Sequence, residues 1–433
     1  MTLMSWCMAC CSVQRVTVPV LAVPVFMSCF GFTPATMGLL QSSILIGYLI
    51  GQLPSGWLAD TRGGDRTMLV GMILWSLSCA ALPLATLAAD PLPWFMVARF
   101  MMGLSSAVVL PALVSAATKW MDDTHRTTAL TRGYAGFHMG TVIGYALTPL
   151  LASLMGWKPV FFIYGVMGVI TGVVGLRSLP PQPAKAEALV TQDMPDQLPN
   201  GGAAPAAAST AGQEDLVEKK KRKILLKRLS TLVQLGVLCW SHCAIGWGFF
   251  ILQSWTPTFM ASLGFQEKFM GVISGLPWLV CALVTLNTGS VADRLLQRGM
   301  KRHRVRRLMQ STATLGPVLF LVPLALPGIS LPAAFKIACI TGVLVLQAFS
   351  YAGFQAYVQD VAPQDSGKII SITNTCGILT GVVGNCATGF ILEKTNDYRL
   401  VFLLTALIYL SAFFAWVTFM RGGRLKLSNI TAH

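Results

Sequence analysis

Acidic side chains are scarce here: 17 Asp and Glu stand against 32 Lys and Arg in 433 residues. Charged residues make up 11% of the chain, against about 25% in a soluble globular protein. That excludes an ordinary water-soluble fold. Each of the 17 acids falls in a predicted loop, tail or span edge, so no carboxylate is expected at mid-membrane. Metal-ligand spacing is missing too, as are a carboxylate pair and a nucleophile–histidine constellation, which leaves an intramembrane enzyme without support. No cleavable signal or Arg/Ser-rich transit segment precedes the first apolar run, and the chain starts almost inside it. Whether a targeting extension belongs ahead of residue 1 is left open.

What the sequence does hold is apolar length. Hydrophobic residues reach 54% and mean hydropathy is +0.64. Runs long enough to cross a bilayer recur throughout, at roughly 3–28, 35–56, 68–88, 94–117, 130–152, 158–178, 231–255, 269–291, 308–328, 332–356, 368–391 and 400–420. The expected class is an all-α membrane protein of about twelve spans. The net charge of +15 is unevenly placed. With the N-terminus inside, about 25 of the 32 basic residues lie in inner loops and tail and about five near the outer side. This is the positive-inside pattern, with both termini cytoplasmic. The basic run Lys219 to Lys223 then reads as an anchor to anionic headgroups rather than a nucleic-acid patch. The thiols of "CMACC" (7–11) read as packing, and the sequon at Asn429 lies in the predicted cytoplasmic tail.

Pro, Ala, Gly and charge dominate 180–223, a composition that cannot bury a core. The expected organisation is a bundle over 1–179, a disordered tether over 180–229, a second bundle over 230–421 and a tail over 422–433. The halves repeat a signature: "GWLADTRGGDR" follows the second span and "GSVADRLLQRG" the eighth. Gly56, Asp60 and Arg66 in one copy, and Gly289, Asp293 and Arg294 in the other, are expected to form conformational latches, the glycines letting helices approach. An ordinary polar turn is the plainer alternative for either copy alone.

Two arginines interrupt the spans: Arg15 in "CCSVQRVTVPVL" and Arg99 at the start of the fourth. A central Arg costs about 2.5–3.5 kcal/mol on insertion scales. Snorkelling to an interface is one escape, open to Arg99 more than to Arg15. The other is a wet cavity in which a travelling oxyanion supplies the counter-charge, since guanidinium engages carboxylate or phosphate through two oxygens. Gln41 is a further cavity candidate.

Twelve spans, a central tether and duplicated loops resemble the major facilitator superfamily. The stretches "RFMMGLSSAVVLPALVSAATKW" (99–120), "GFHMGTVIGYALTPLL" (136–151), "WGFFILQSWTPTF" (247–259) and "ITNTCGILTGVVGNCATGFIL" (372–392) are similar to the anion:cation symporters within it. "GLPWLV" (275–280) and "VRRLMQSTATLGP" (305–317) look most like plant plastid phosphate/ascorbate carriers. The resemblance implies two pseudo-symmetric six-helix bundles, alternating access and a small anionic substrate, with no cofactor but sodium or a proton as a possible co-ion. A monomer is expected, and a plastid envelope location is suggested by the resemblance, with the plasma membrane or a vesicle as the alternatives. By position, Arg15 and Arg99 match the family's membrane arginines, Tyr48 lies in the matching "GYL" stretch, and Asn374 matches a substrate-binding polar residue.

The departures bear on coupling. Where the family has Asp-Arg, this chain has Gln14-Arg15; where it has Gly-Glu-Gly, the aligned residues are Ser105, Ser106 and Ala107. With both membrane acids neutral and both arginines kept, exchange or potential-driven transport is expected rather than carboxylate-mediated proton symport. His138 or His242 could restore a titrating group, though a packing role is the alternative for each. An anion-sensing receptor of the same fold is the runner-up function.

Overall fold

In the computed structural model, the residues described are 2–120, 123–179, 210–265, 267–328, 330–362, 365–420 and 425. Helix α1 runs Thr2–Val20, and after a 44° bend it continues over Ala22–Met27 and Ser28–Phe30. Helices α2 (Pro34–Arg62), α3 (Gly64–Ala81), α4 (Leu92–Ser106, resuming as Val109–Trp120), α5 (Asp123–Met155) and α6 (Trp157–Arg177) complete the first half. The second half comprises α7 (Thr210–Ser262), α8 (Glu267–Gln297), α9 (Arg302–Ala325), α10 (Ala333–Gln347, ending in Phe354–Val361), α11 (Ser366–Thr395) and α12 (Arg399–Phe419). Eleven of these are single helices apolar enough to cross a membrane, and the bent α1 makes twelve. The protein is therefore a multi-pass membrane protein, and every expected span has its helix.

Proline sets the breaks. Pro111 has no N–H to offer the Ala107 carbonyl one turn back, and α4 is interrupted at Ala107–Val108. In α1, Pro19 and Pro24 fall on either side of the bend. There the helix widens to a π-turn, in which Phe26 N–H reaches the Leu21 carbonyl at 3.2 Å.

Within each half, neighbours pack closely: α1 on α5, α2 on α4 and α3 on α6, then α7 on α11 and α9 on α10 and α12. The halves meet along α2–α11 and α5–α8. At the outer end of α2–α11, a Cβ on Gly38 would lie 2.7 Å from the Asn385 carbonyl oxygen, and one on Gly389 2.4 Å from that of Pro34. Only hydrogen fits there. The Glu393 carboxylate crosses the same seam, accepting from Thr33 Oγ1 at 2.8 Å and Ala35 N at 3.0 Å. It thereby satisfies an orphan donor at the positive end of α2. Ser42 Oγ adds a bond to the Val382 carbonyl at 3.0 Å. The outer side is shut.

The tether differs from expectation. It was expected to lack structure to residue 229, but α7 begins at Thr210. The stretch "EDLVEKKKRKILLKRL" is built of strong helix formers, so it extends the following span instead of fraying. Residues 180–209 lie outside the described residues, as does the 422–433 tail apart from Leu425, whose N–H donates to the Val361 carbonyl at 3.0 Å. Arg222 of the basic run is exposed, while the side chains of Lys219 and Lys223 are outside those described.

Candidate functional site

Between the halves lies a cavity of about 1320 Å³. Its lining reaches from Arg15, Tyr48, His138 and Trp278 at mid-depth to Gly56, Thr61, Gly367 and Lys368, at the ends of α2 and α11 opposite the sealed seam. Those are the ends that the basic-residue bias assigns to the cytoplasm. The cavity opens toward that side.

Arg15 is on the wall of this space, 9% exposed. Its guanidinium carbon sits 5.3 Å from the Tyr48 ring centre and 6.0 Å from that of Phe137, cation–π contacts that hold the charge without neutralising it. No carboxylate pairs with it among the described residues, and its Nε is buried without a hydrogen-bond partner.

Arg99 does something else. It is 2% exposed and is not part of the cavity lining. Its Nη1 donates to the Arg15 carbonyl oxygen at 3.0 Å. That carbonyl would normally accept from the N–H of residue 19, and residue 19 is proline. Arg99 thus fills a hydrogen bond that Pro19 removes, in a membrane interior where a free carbonyl is costly. Neither snorkelling nor ligand contact describes it: in this conformation it is a positioning residue for α1.

Gln14 also faces away from the cavity. Its Nε2 donates to Ser76 Oγ at 3.1 Å and to the Tyr164 carbonyl at 2.9 Å, fastening α1 to α3 and α6. Ser106 does line the cavity, but its hydroxyl bonds back to the Gly103 carbonyl at 3.1 Å, beside the break in α4. Tyr48, Asn374 and His138 line the cavity with Arg15. Gln41 does not; it is buried on α2 with both amide atoms unpartnered, as is Asn385 on α11.

Comparison with known proteins agrees with this architecture. The family model "Major Facilitator Superfamily" matches residues 5–384. The chain is 33% identical to the sodium-dependent phosphate transport protein 1, chloroplastic, of Arabidopsis thaliana, with 96% of this chain and 77% of that one covered. It is 32% identical to the Arabidopsis thaliana ascorbate transporter, chloroplastic, over 96% and 73%. A rice (Oryza sativa subsp. japonica) probable anion transporter 4, chloroplastic, is 33% identical over 96% and 67%. The chain belongs to the major facilitator superfamily. Its relatives there are transporters, not enzymes. Among solved structures, a bacterial homolog of the human lysosomal transporter Spinster, inward-facing and occupied, superposes with TM-score 0.70 at 15% identity, covering 99% of this chain and 97% of that one. The D-xylose–proton symporter gives 0.67 at 15% identity over 98% and 97%. At such identities these two speak for the fold alone.

Within this superfamily fold the repeated G-x-x-A-D signatures behave differently from expectation. Gly56 and Gly289 each have nothing within 4 Å of where a Cβ would stand, so neither serves close approach here. Gly56 borders the open cavity, whereas a Cβ on Gly64 of the same stretch would lie 2.3 Å from the Ala112 carbonyl oxygen, so the close approach there is made by a different glycine. Asp293 and Arg294 are exposed, and Asp293 has no partner among the described residues; the Asp60 side chain lies outside them. Arg66 is exposed, its N–H bonded to the Asp65 carboxylate at 2.9 Å. Among the described residues, the ion pairs at the inner side include Asp360 of α10 with Arg306 at 2.8 Å and Arg302 at 3.4 Å on α9, and Lys368 with Asp365 at 3.8 Å.

Sequence reasoning missed the aromatic part of the wall. Phe137, Tyr134 and Tyr351 line the cavity alongside His138 and Trp278. An aromatic residue in an apolar run packs against lipid, core or cavity with the same local pattern, so nothing short of the assembled halves marks these as lining residues.

Proposed function

We propose that this protein carries a small anion across its membrane by alternating access, with Arg15 as the substrate's charge partner. One observation carries the reading: a guanidinium on a cavity wall, between two rings, with no carboxylate to pair with among the described residues. An anion entering from the open side completes the electrostatics, which gives it a differential affinity for the loaded, closed cavity over the empty one. Phosphate and ascorbate, the substrates in the relatives' names, are the first to test. The relatives' chloroplast designation supports a plastid membrane as the site of action.

Coupling follows from charge. With Gln14 tied into the bundle and no described acid on the cavity wall, transport is by exchange or driven by the membrane potential, which supplies about 2.3 kcal/mol per charge per 100 mV. Labelled-anion uptake into liposomes, with and without internal anion, tests both parts. Internal anion should raise the rate several-fold, and Arg15→Gln should reduce it at least tenfold. Uptake driven by an imposed proton gradient, abolished by an uncoupler and indifferent to internal anion, would refute exchange. The same preparation binding anion without any flux would favour a receptor.

A further inference from the structure

The turn between α8 and α9 carries more charge than orientation in the membrane requires. Its counterpart in the first half, between α2 and α3, holds Arg62 and Arg66 beside Asp60 and Asp65 and is neutral overall. That loop lies on the same side with two basic residues. Between Asp293 and Arg307, seven Lys and Arg stand against one acid. The backbone gathers them. Gly299, at φ +83°, ends α8 in a left-handed turn, its N–H donating to the Leu296 carbonyl at 2.9 Å and Met300 N–H to that of Leu295 at 3.1 Å. The chain doubles back over residues 298–301, which sets the last turn of α8 beside the first of α9.

Three of the seven cations are engaged within the protein. Arg306 Nε and Arg302 Nη1 donate to the Asp360 carboxylate at 2.8 and 3.4 Å, and Arg307 Nη2 to the Val417 carbonyl at 2.6 Å. Arg294, Arg298, Lys301 and Arg304 are exposed, with no side-chain partner among the described residues. Their depth selects what they meet. The 24 residues of α9 make about 36 Å of helix, against about 30 Å of hydrocarbon. The first turn of α9, with Lys301 before it and Arg304 in it, therefore stands at headgroup level. Leu308, one turn further in, is exposed on the membrane face.

We propose that the α8–α9 turn binds the phosphate headgroup of an anionic phospholipid, in the leaflet on the cavity's open side, through Arg298, Lys301 and Arg304 with Arg294 beside them. Guanidinium and ammonium groups pair with phosphate oxygens, and cations at headgroup level are drawn to an anionic leaflet. This place is separate from the basic run Lys219 to Lys223, and it does not depend on what the cavity carries.

The test counts lipids on the purified full-length protein. It is equilibrated in mixed micelles holding equal amounts of phosphatidylglycerol and phosphatidylcholine, and the retained lipids are counted by native mass spectrometry. Phosphatidylglycerol should exceed phosphatidylcholine at least about threefold. Arg298→Gln, Lys301→Gln and Arg304→Gln together should bring the ratio close to one. Arg62→Gln, Arg66→Gln and Arg177→Gln together, which remove three exposed cations elsewhere on the same side, should leave most of the excess. Each ratio is internal to one variant, so a lower yield of folded protein does not distort it. No excess in the parent would remove the ligand, and equal losses in the two triple variants would reduce the turn to general surface charge. Stripping of the lipid by inorganic phosphate at constant ionic strength would assign the turn to a soluble anion. Each of the three would overturn the lipid site.

Discussion

The two faces of α1 make an instructive pair. One presents the Arg15 side chain to an open cavity, where two rings flank it and no described carboxylate meets it. The other presents the Arg15 carbonyl to a packed interior, where Arg99 reaches it across from α4. Both arginines look alike in the sequence, as unpaired cations in apolar runs. Pro19 separates their surroundings: by withholding one N–H, it gives Arg99 a structural partner, while Arg15 faces the cavity. A buried positive charge is thus no sufficient sign of a ligand site. What decides is whether a backbone group nearby has already claimed it.

The sharpest way to break this contrast is to remove Arg15. Arg15→Gln should weaken anion binding about hundredfold, the loss expected for a two-oxygen, charge-assisted contact worth about 3 kcal/mol. Equal losses for Arg15→Gln and Arg99→Gln in the same dialysis measurement would erase the distinction.

Next in size is Gln14. Aspartate cannot donate, so Gln14→Asp would lose the bond to the Tyr164 carbonyl, turn a buried carboxylate toward that oxygen and lower stability by about 1–3 kcal/mol. It should not confer proton-driven uptake, since the side chain points into the bundle. Thermal unfolding of the purified carrier and uptake under a pH gradient check the two halves of that statement.

Arg99→Gln should cost less, about 1–2 kcal/mol in thermal stability, with anion affinity changed less than about threefold. Combined with Pro19→Ala, most of that loss should vanish, because an alanine at this position would restore the N–H that the Arg15 carbonyl lacks. A double-mutant cycle with no coupling would show that Arg99 acts elsewhere.

The smallest effects belong to the repeated signature. Gly56→Ala and Gly289→Ala should leave stability within about 0.5 kcal/mol of the parent, as each methyl would enter open space. Gly38→Leu at the outer seam is their counter-test and should severely reduce flux. Cys386, beside Ser42 in that seam at 3.1 Å, should then react faster with an impermeant maleimide added from outside.

How far the sequence could lead follows from these same residues. The spans were legible because an apolar run of bilayer length has few other uses. Arg15 was legible because a cation a dozen residues into such a run has nowhere cheap to go. The role of Arg99 was not, although "QRVTVP" contains the clue: a proline four residues after an arginine orphans that arginine's carbonyl. Which donor fills the gap is a tertiary fact. The glycine signatures misled for a different reason. Repetition marks where the two halves are equivalent but does not say which end of the carrier is closed; Gly38 and Gly389 make close contacts across the closed seam, and Gly56 and Gly289 do not. The helical start at Thr210 was hidden by composition averaged over a window that mixes "NGGAAPAAAST" with the strong helix formers after it.

The widened turn at Ala22–Met27 has a consequence for length mutations. A π-turn stores one surplus residue in the winding of a helix. Deleting a single residue there would let that turn close as a regular α-helix while the arms on either side keep their register, because the surplus is held within one turn. The outer arm is pinned by Phe26, whose ring lies 5.3 Å from Phe95 and 6.2 Å from Trp157. The inner arm would stay in place too, and the guanidinium it carries would remain on the cavity wall. One missing amino acid in the regular part of α1 has no such reserve: it would turn everything on one side by about 100° relative to the other and swing Arg15 off the wall.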